Sequence, residues 1–247
     1  MSAAEFVLLV LAGLAAGFVG GVAGLASVIS YPALLAAGLP PVAANVTNTV
    51  ALVFSGLGSA LGARPELRGQ GRRMRTLGLA GTLGGAAGAA LLLLTPADAF
   101  ERAVPVLIGL ASLAVLVPRP RAQGEHSGSD ARWVVGGVFA VSVYGGYFGA
   151  AAGVLMLALL LRATAESLPH SNAIKNAVLA LANGIAAVGF LCFSDVRWLA
   201  VLPLAIGFFV GGWLGPPLVR RLPARPLRLL IALAGLLVAT RLALRAY

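Results

Sequence analysis

Gly17-Phe18-Val19-Gly20-Gly21-Val22-Ala23-Gly24 returns later in the chain as Gly146-Tyr147-Phe148-Gly149-Ala150-Ala151-Ala152-Gly153. A second pair follows in the same order: Val46-Thr47-Asn48-Thr49-Val50 with Gly56 beyond it, and Ile174-Lys175-Asn176-Ala177-Val178 with Gly184 beyond it. The third pair is Gly84-Gly85-Ala86-Ala87-Gly88 and Gly211-Gly212-Trp213-Leu214-Gly215. Three ordered matches at almost one offset argue against chance, so the chain reads as an internal duplication of one unit.

The unit belongs in a membrane. Of the residues, 60% are hydrophobic and 11% charged, more apolar surface than a water-soluble domain of this length can hide. Eight hydrophobic segments lie near residues 5 to 38, 43 to 63, 76 to 94, 99 to 117, 133 to 163, 171 to 193, 198 to 219 and 227 to 244. About 20 helical residues cross a hydrocarbon core of ~30 Å; six segments suit one crossing each, whereas the first and fifth are too long. The expected fold is an all-α polytopic membrane protein with two homologous, inverted repeats. Each repeat has a Gly-broken first helix or re-entrant hairpin plus three transmembrane helices. The repeats cover 1–117 and 133–247, and the hydrophilic stretch 118–132 is a linker.

Several residues are set aside. His126 falls in the linker and reads as a solvated loop residue, and His170 follows Pro169 at a helix entry. The single Cys192 forms no intramolecular disulfide and no thiolate cage. The start, Met1-Ser2-Ala3-Ala4-Glu5, lacks the basic stretch of a secretory signal and is expected to be retained. The net charge is +10, but the arginines sit at segment ends rather than along one face. They set topology and do not bind nucleic acid.

Short cytoplasmic loops retain Lys and Arg. If the first and fifth segments enter and return as hairpins, one side of the membrane collects Arg64 to Arg75, Arg119, Arg121, Arg132, Arg162, Lys175 and Arg220 to Arg228. Eight single crossings, the other arrangement, gather fewer. The hairpins also explain why the basic loop Arg64 to Arg75 faces a neutral counterpart, Ser194 to Arg197. With three crossings per copy, the second unit is inserted upside down, and inverted repeats of this kind bind substrate where broken helices meet.

The candidate binding residues follow from those breaks. Gly20, Gly24, Gly149 and Gly153 permit an unwound turn, with Ser27, Ser30 and Pro32 following the first. Free backbone amides and helix N-termini at such a turn suit a small anion; the same glycines also suit tight helix packing. Asn48 and Asn176, at equivalent positions, place amide donors on opposite sides of one central ligand. Asn183 lies two turns beyond Asn176, so both look into one channel. Lys175, the only lysine, either pairs with the anion or snorkels to the headgroups. Asn45, Thr47 and Tyr147 are secondary candidates.

On these residues the chain resembles the sulfite exporter TauE/SafE family, also called the sulfonate uptake permease family, across nearly its whole length. The similar elements are Gly20 to Gly24 followed by Pro32, the Gly38-Leu39-Pro40 turn, Ala43 to Gly62, Tyr144 to Gly153, Ala173-Ile174-Lys175-Asn176 and Gly211 to Gly215. Copy two has Ala150 where copy one has Gly21 and Met156 where copy one has Ser27, so the halves contribute unequally. The resemblance implies a secondary transporter in the bacterial inner membrane that moves a small anion, a sulfur oxyanion or organosulfonate, by alternating access. A proton or a sodium ion would serve as coupling ion. No cofactor, metal or catalytic residue is expected, and ATP is excluded as this chain's energy source because no Walker-type loop is present. Two other classes stand beside this reading: a non-transporting structural membrane subunit, and a membrane-embedded enzyme, against which the chain offers no Gly-x-Ser-x-Gly or His-Glu-x-x-His.

Overall fold

The computed structural model describes residues 1–116, 131–164, 166–219 and 240. Ten helices and no strand occur among them: α1 (Ala3–Ala23), α2 (Ala26–Ala36), α3 (Pro41–Gly62), α4 (Arg64–Leu67), α5 (Gly71–Leu94), α6 (Ala97–Leu116), α7 (Ala131–Tyr147), α8 (Ala152–Ala163), α9 (Leu168–Phe193) and α10 (Trp198–Val219). Five are long and apolar enough to cross a membrane: α1, α3, α5, α9 and the Trp198–Pro217 stretch of α10. The hydrophobic segment at 227 to 244 apart from residue 240, the Arg220 to Arg228 loop, His126 and nearly all of the linker lie outside the described residues.

Local sequence explains where the helices start. Ser2 and Glu5 form a capping box on α1: the Ser2 amide donates to Glu5 Oε2 at 2.7 Å, and the Glu5 amide donates to Ser2 Oγ at 3.2 Å. Pro41 opens α3 and Pro169 sits in the first turn of α9, where proline's missing donor has no intrahelical partner to lose.

Each of the two overlong segments is a helix, a tight turn and a second helix. Met1, before α1, and Glu5 and Leu9 of α1 share a cavity wall with Gly38 and Pro40, beyond α2, and with Arg197 and Ala200 of the α10 entry. α1 and α2 therefore form a hairpin whose open end lies there. At the other end of α3, Gln70, Arg73 and Leu77 share a wall with Val134 near the start of α7 and Ala163 and Thr164 at the end of α8. The two hairpins enter the bundle from opposite ends.

The packing between them is reciprocal. α1 lies along α10, which lies along α3; α7 lies along α5, which lies along α9; and α3 meets α9 in the middle. Glycines allow these approaches. A side chain at Gly17 would meet the Phe208 carbonyl, one at Gly211 the Leu14 carbonyl, one at Gly88 the Val143 carbonyl, and one at Gly146 the Gly85 carbonyl. Without a hydrophobic drive between helices in lipid, small residues that let backbones approach supply the packing energy. Leu79, Leu83 and Leu91 on α5 and Leu202 and Trp213 on α10 are exposed, a surface suited to acyl chains rather than water.

Candidate functional site

The two tips meet inside the bundle. α1 ends because Gly24 takes the left-handed conformation (φ 79°), with its amide bonded back to the Gly20 carbonyl at 2.8 Å. α7 ends at Tyr147, and the chain reverses through Gly149 (φ 76°) and Ala151 (φ 59°). The Tyr144 hydroxyl holds this second turn by donating to the Ala150 carbonyl at 2.7 Å. Gly24 and Gly153 stand back to back, and a side chain on either would collide with the backbone of the other. Rings fix the second tip from outside: Tyr31 of α2 packs edge-on against Phe148 at 5.3 Å, and Phe100 of α6 against Tyr147 at 5.7 Å.

A helix end leaves carbonyls without partners, and here each tip is satisfied by a helix of the other half. The Gly21 carbonyl accepts from Asn172 Nδ2 at 2.8 Å and Asn176 Nδ2 at 3.2 Å, and the Gly20 carbonyl, which already takes the Gly24 amide, accepts a second bond from Lys175 Nζ at 3.1 Å. All three donors stand on α9. In return, Asn45 Nδ2 of α3 donates to the Tyr147 carbonyl at 2.8 Å.

Between the tips lies a cavity of about 70 Å³, room for a few waters or one small polyatomic anion, since a single water fills about 10–15 Å³ of such space. Gly20, Gly24, Ser27, Gly149, Gly153, Asn176 and Asn183 line it, as do Ser55 and Ser59 of α3. No Asp or Glu is among the lining residues. α2 and α8 both begin at the cavity, after Leu25 and Ala151, and neither start is capped by a side chain. Two positive helix ends therefore converge on one space.

Other expected residues stand elsewhere, for physical reasons. Gly20 and Gly21 are helical, not unwound: one left-handed residue suffices to turn the chain, and Gly20, in the cavity wall, leaves room for Ala26, whose methyl a side chain at position 20 would strike. Lys175 is fully buried and does not snorkel, because the negative end of α1 draws its ammonium inward. Asn48 lies behind the lining: its Nδ2 donates to Ser27 Oγ at 3.1 Å, and Ser30 Oγ donates to its Oδ1 at 2.6 Å. Thr47 Oγ1 accepts from the Arg197 amide at 3.2 Å, at one end of the bundle. Asn45 and Tyr147 meet at the second tip without lining the cavity.

Three contributors were missed by reading the sequence. Ser55 stands in the first half where Asn183 stands in the second, at the offset that pairs Asn48 with Asn176; the duplication itself carried that signal. Ser59 is one turn further along the same face, and Asn172 one turn before Asn176.

The chain matches the family described as Sulfite exporter TauE/SafE over residues 9–242. It is 26% identical over 231 residues to a Sinorhizobium sp. protein named "Probable membrane transporter protein ORF9", an alignment covering 92% of this chain and 88% of the relative. No solved structure gives a significant match. A match running from within α1 past the last described helix takes in both tips and the cavity between them: this is a multi-pass membrane protein that belongs to the sulfite exporter TauE/SafE family of transporters.

Proposed function

We propose that the protein is a secondary transporter that carries a small sulfur oxyanion or organosulfonate across the bacterial inner membrane, binding it in the cavity between the two tips. The observation that carries this reading is the convergence of the α2 and α8 N-termini on one acid-free space. Each brings a partial positive charge; in α8 the Ala152 and Val154 amides donate to the Gly149 and Ala151 carbonyls, so its contribution is chiefly that charge. Ser27, Ser55, Asn176 and Asn183 add hydroxyls and amides around the same volume. Lys175 serves the site indirectly: by capping the Gly20 carbonyl, it offsets the partial negative charge that the end of α1 would otherwise turn toward an anion.

Alternating access fits the architecture. Two hairpins inserted from opposite ends, each packed on the other half's helices, support an inverted duplication in which one half rocks against the other about the tips. The coupling ion, a proton or sodium, is part of the same proposal.

The test is uptake by proteoliposomes holding the purified full-length protein, with labelled sulfite, methanesulfonate and thiosulfate offered separately. Saturable uptake of at least one, abolished by Gly24→Val in inserted protein, is the expected result. Absence of uptake of all three, with either orientation of a proton or sodium gradient, would overturn the reading.

A further inference from the structure

At the end where α7–α8 enters, a cavity of about 450 Å³ opens between α5 and that hairpin, and Gln70, Arg72 and Arg73 stand in its wall. It is separate from the central space: the two share no lining residue. Arg72 and Arg73 occupy the first turn of α5, which begins at Gly71, so two guanidinium groups add to the positive end of a helix.

One carboxylate already uses these donors. Glu166 Oε1 accepts from Arg73 Nη1 at 2.7 Å and from Gln70 Nε2 at 3.4 Å. Glu166 belongs to the connection between α8 and α9, outside regular structure, so it can swing away without unwinding a helix. About a third of each side chain of the pair is exposed, and water reaches the contact. An ion pair this exposed is weak, hence displaceable, and the guanidinium geometry that holds a carboxylate oxygen also holds an oxygen of sulfite or a sulfonate.

We propose that this cavity is an outer anion-binding site, in which Arg73 and Gln70 hold an incoming oxyanion and Glu166 is the built-in carboxylate it displaces. The inference rests on the anion reading above and adds a second site to it. Because the Arg73–Glu166 pair joins α5 to the connection that follows α8, an arriving anion also releases a link between the two halves at this end. The site thus reports the anion's presence to the hairpin that borders it.

Equilibrium binding of labelled sulfite to the full-length protein, at fixed ionic strength, tests the assignment. All variants carry Ser55→Ala and Asn183→Ala so that the central cavity contributes little. Glu166→Gln should tighten binding about two- to fivefold, the range that a partly exposed ion pair allows, and Arg73→Gln should weaken it by at least as much. In the Arg73→Gln background, Glu166→Gln should have no further effect. Equal affinity in Glu166→Gln and its parent, or the same tightening with Arg73 absent, would overturn the site, the latter because loss of one negative charge would then act without the pair. If these affinities shift as stated while proteoliposomes carry no sulfur anion, the outer site stands and the transport reading falls; transport without the shifts removes the outer site alone.

Discussion

The two tips solve one problem with unequal chemistry. The first ends on a single left-handed glycine, Gly24, and its carbonyls receive two amides and an ammonium from Asn172, Asn176 and Lys175. The second passes through two left-handed residues, Gly149 and Ala151, and receives one amide from Asn45 and an internal tether from Tyr144. Corresponding helices thus do corresponding work, α9 capping α1 and α3 capping α7, but only the first tip is capped by a charge. The two sides of the central cavity are therefore electrostatically distinct. Each half can therefore be tested against the other.

The largest effect should come from filling the contact itself. Gly24→Val puts a β-branched side chain at φ 79° and against the Gly153 backbone, combining left-handed strain with overpacking at a cost of about 2–6 kcal/mol. Gly153→Val, without a positive φ, carries the overpacking alone, about 1–3 kcal/mol. Both should abolish transport; thermal unfolding in detergent should rank Gly24→Val lower. Equal unfolding temperatures would show that the tips are more alike than their backbones suggest.

Next come the caps. Lys175→Gln replaces a charged donor to Gly20 with a neutral one, a loss of about 1–1.5 kcal/mol, the difference between the two kinds of hydrogen bond, whereas Asn45→Ala removes an interhelical bond worth about 0.6–1.7 kcal/mol. Lys175→Gln should also weaken transport of divalent sulfite more than of monovalent methanesulfonate, because it uncovers the negative end of α1. Equal losses for the two anions would reduce Lys175 to packing.

A smaller effect should separate lining from support. Asn183→Ala takes a donor from the cavity wall and should raise the apparent Kd for the transported anion about tenfold. Asn48→Ala acts only through Ser27 and Ser30 and should raise it less. The order of the two affinities, measured in equally expressed protein, checks the cavity's composition. The smallest change should be Ala151→Gly, which relieves a left-handed alanine and stabilises the protein by at most about 1 kcal/mol; a loss of stability would mean that the Ala151 methyl packs better than its dihedral costs.

Much of this comparison was legible in the chain. Segment lengths against bilayer thickness mark the first and fifth segments as too long for one crossing, leaving a broken helix or a hairpin, and the paired glycine stretches point to both tips, because these signals depend on local composition and on spacing along one chain. Gly20, Gly24, Gly149, Gly153, Asn176 and Asn183 are legible as candidates for that reason and line the cavity, and Ser55 is within reach of the same alignment.

Composition and spacing along the chain establish a helical membrane protein whose two halves each carry a Gly-rich, overlong first segment. Which polar groups face the cavity and which face a helix end emerges from packing between the halves. Asn48 and Asn176 are equivalent in sequence, yet one supports Ser27 and Ser30 while the other caps Gly21 and lines the cavity. Lys175, readable as a headgroup anchor, turns inward to Gly20. Carbonyls at the end of α1 that still have a free lone pair recruit whichever donors the opposite half brings within about 3 Å, and that pairing exists only once residues more than a hundred positions apart have packed together.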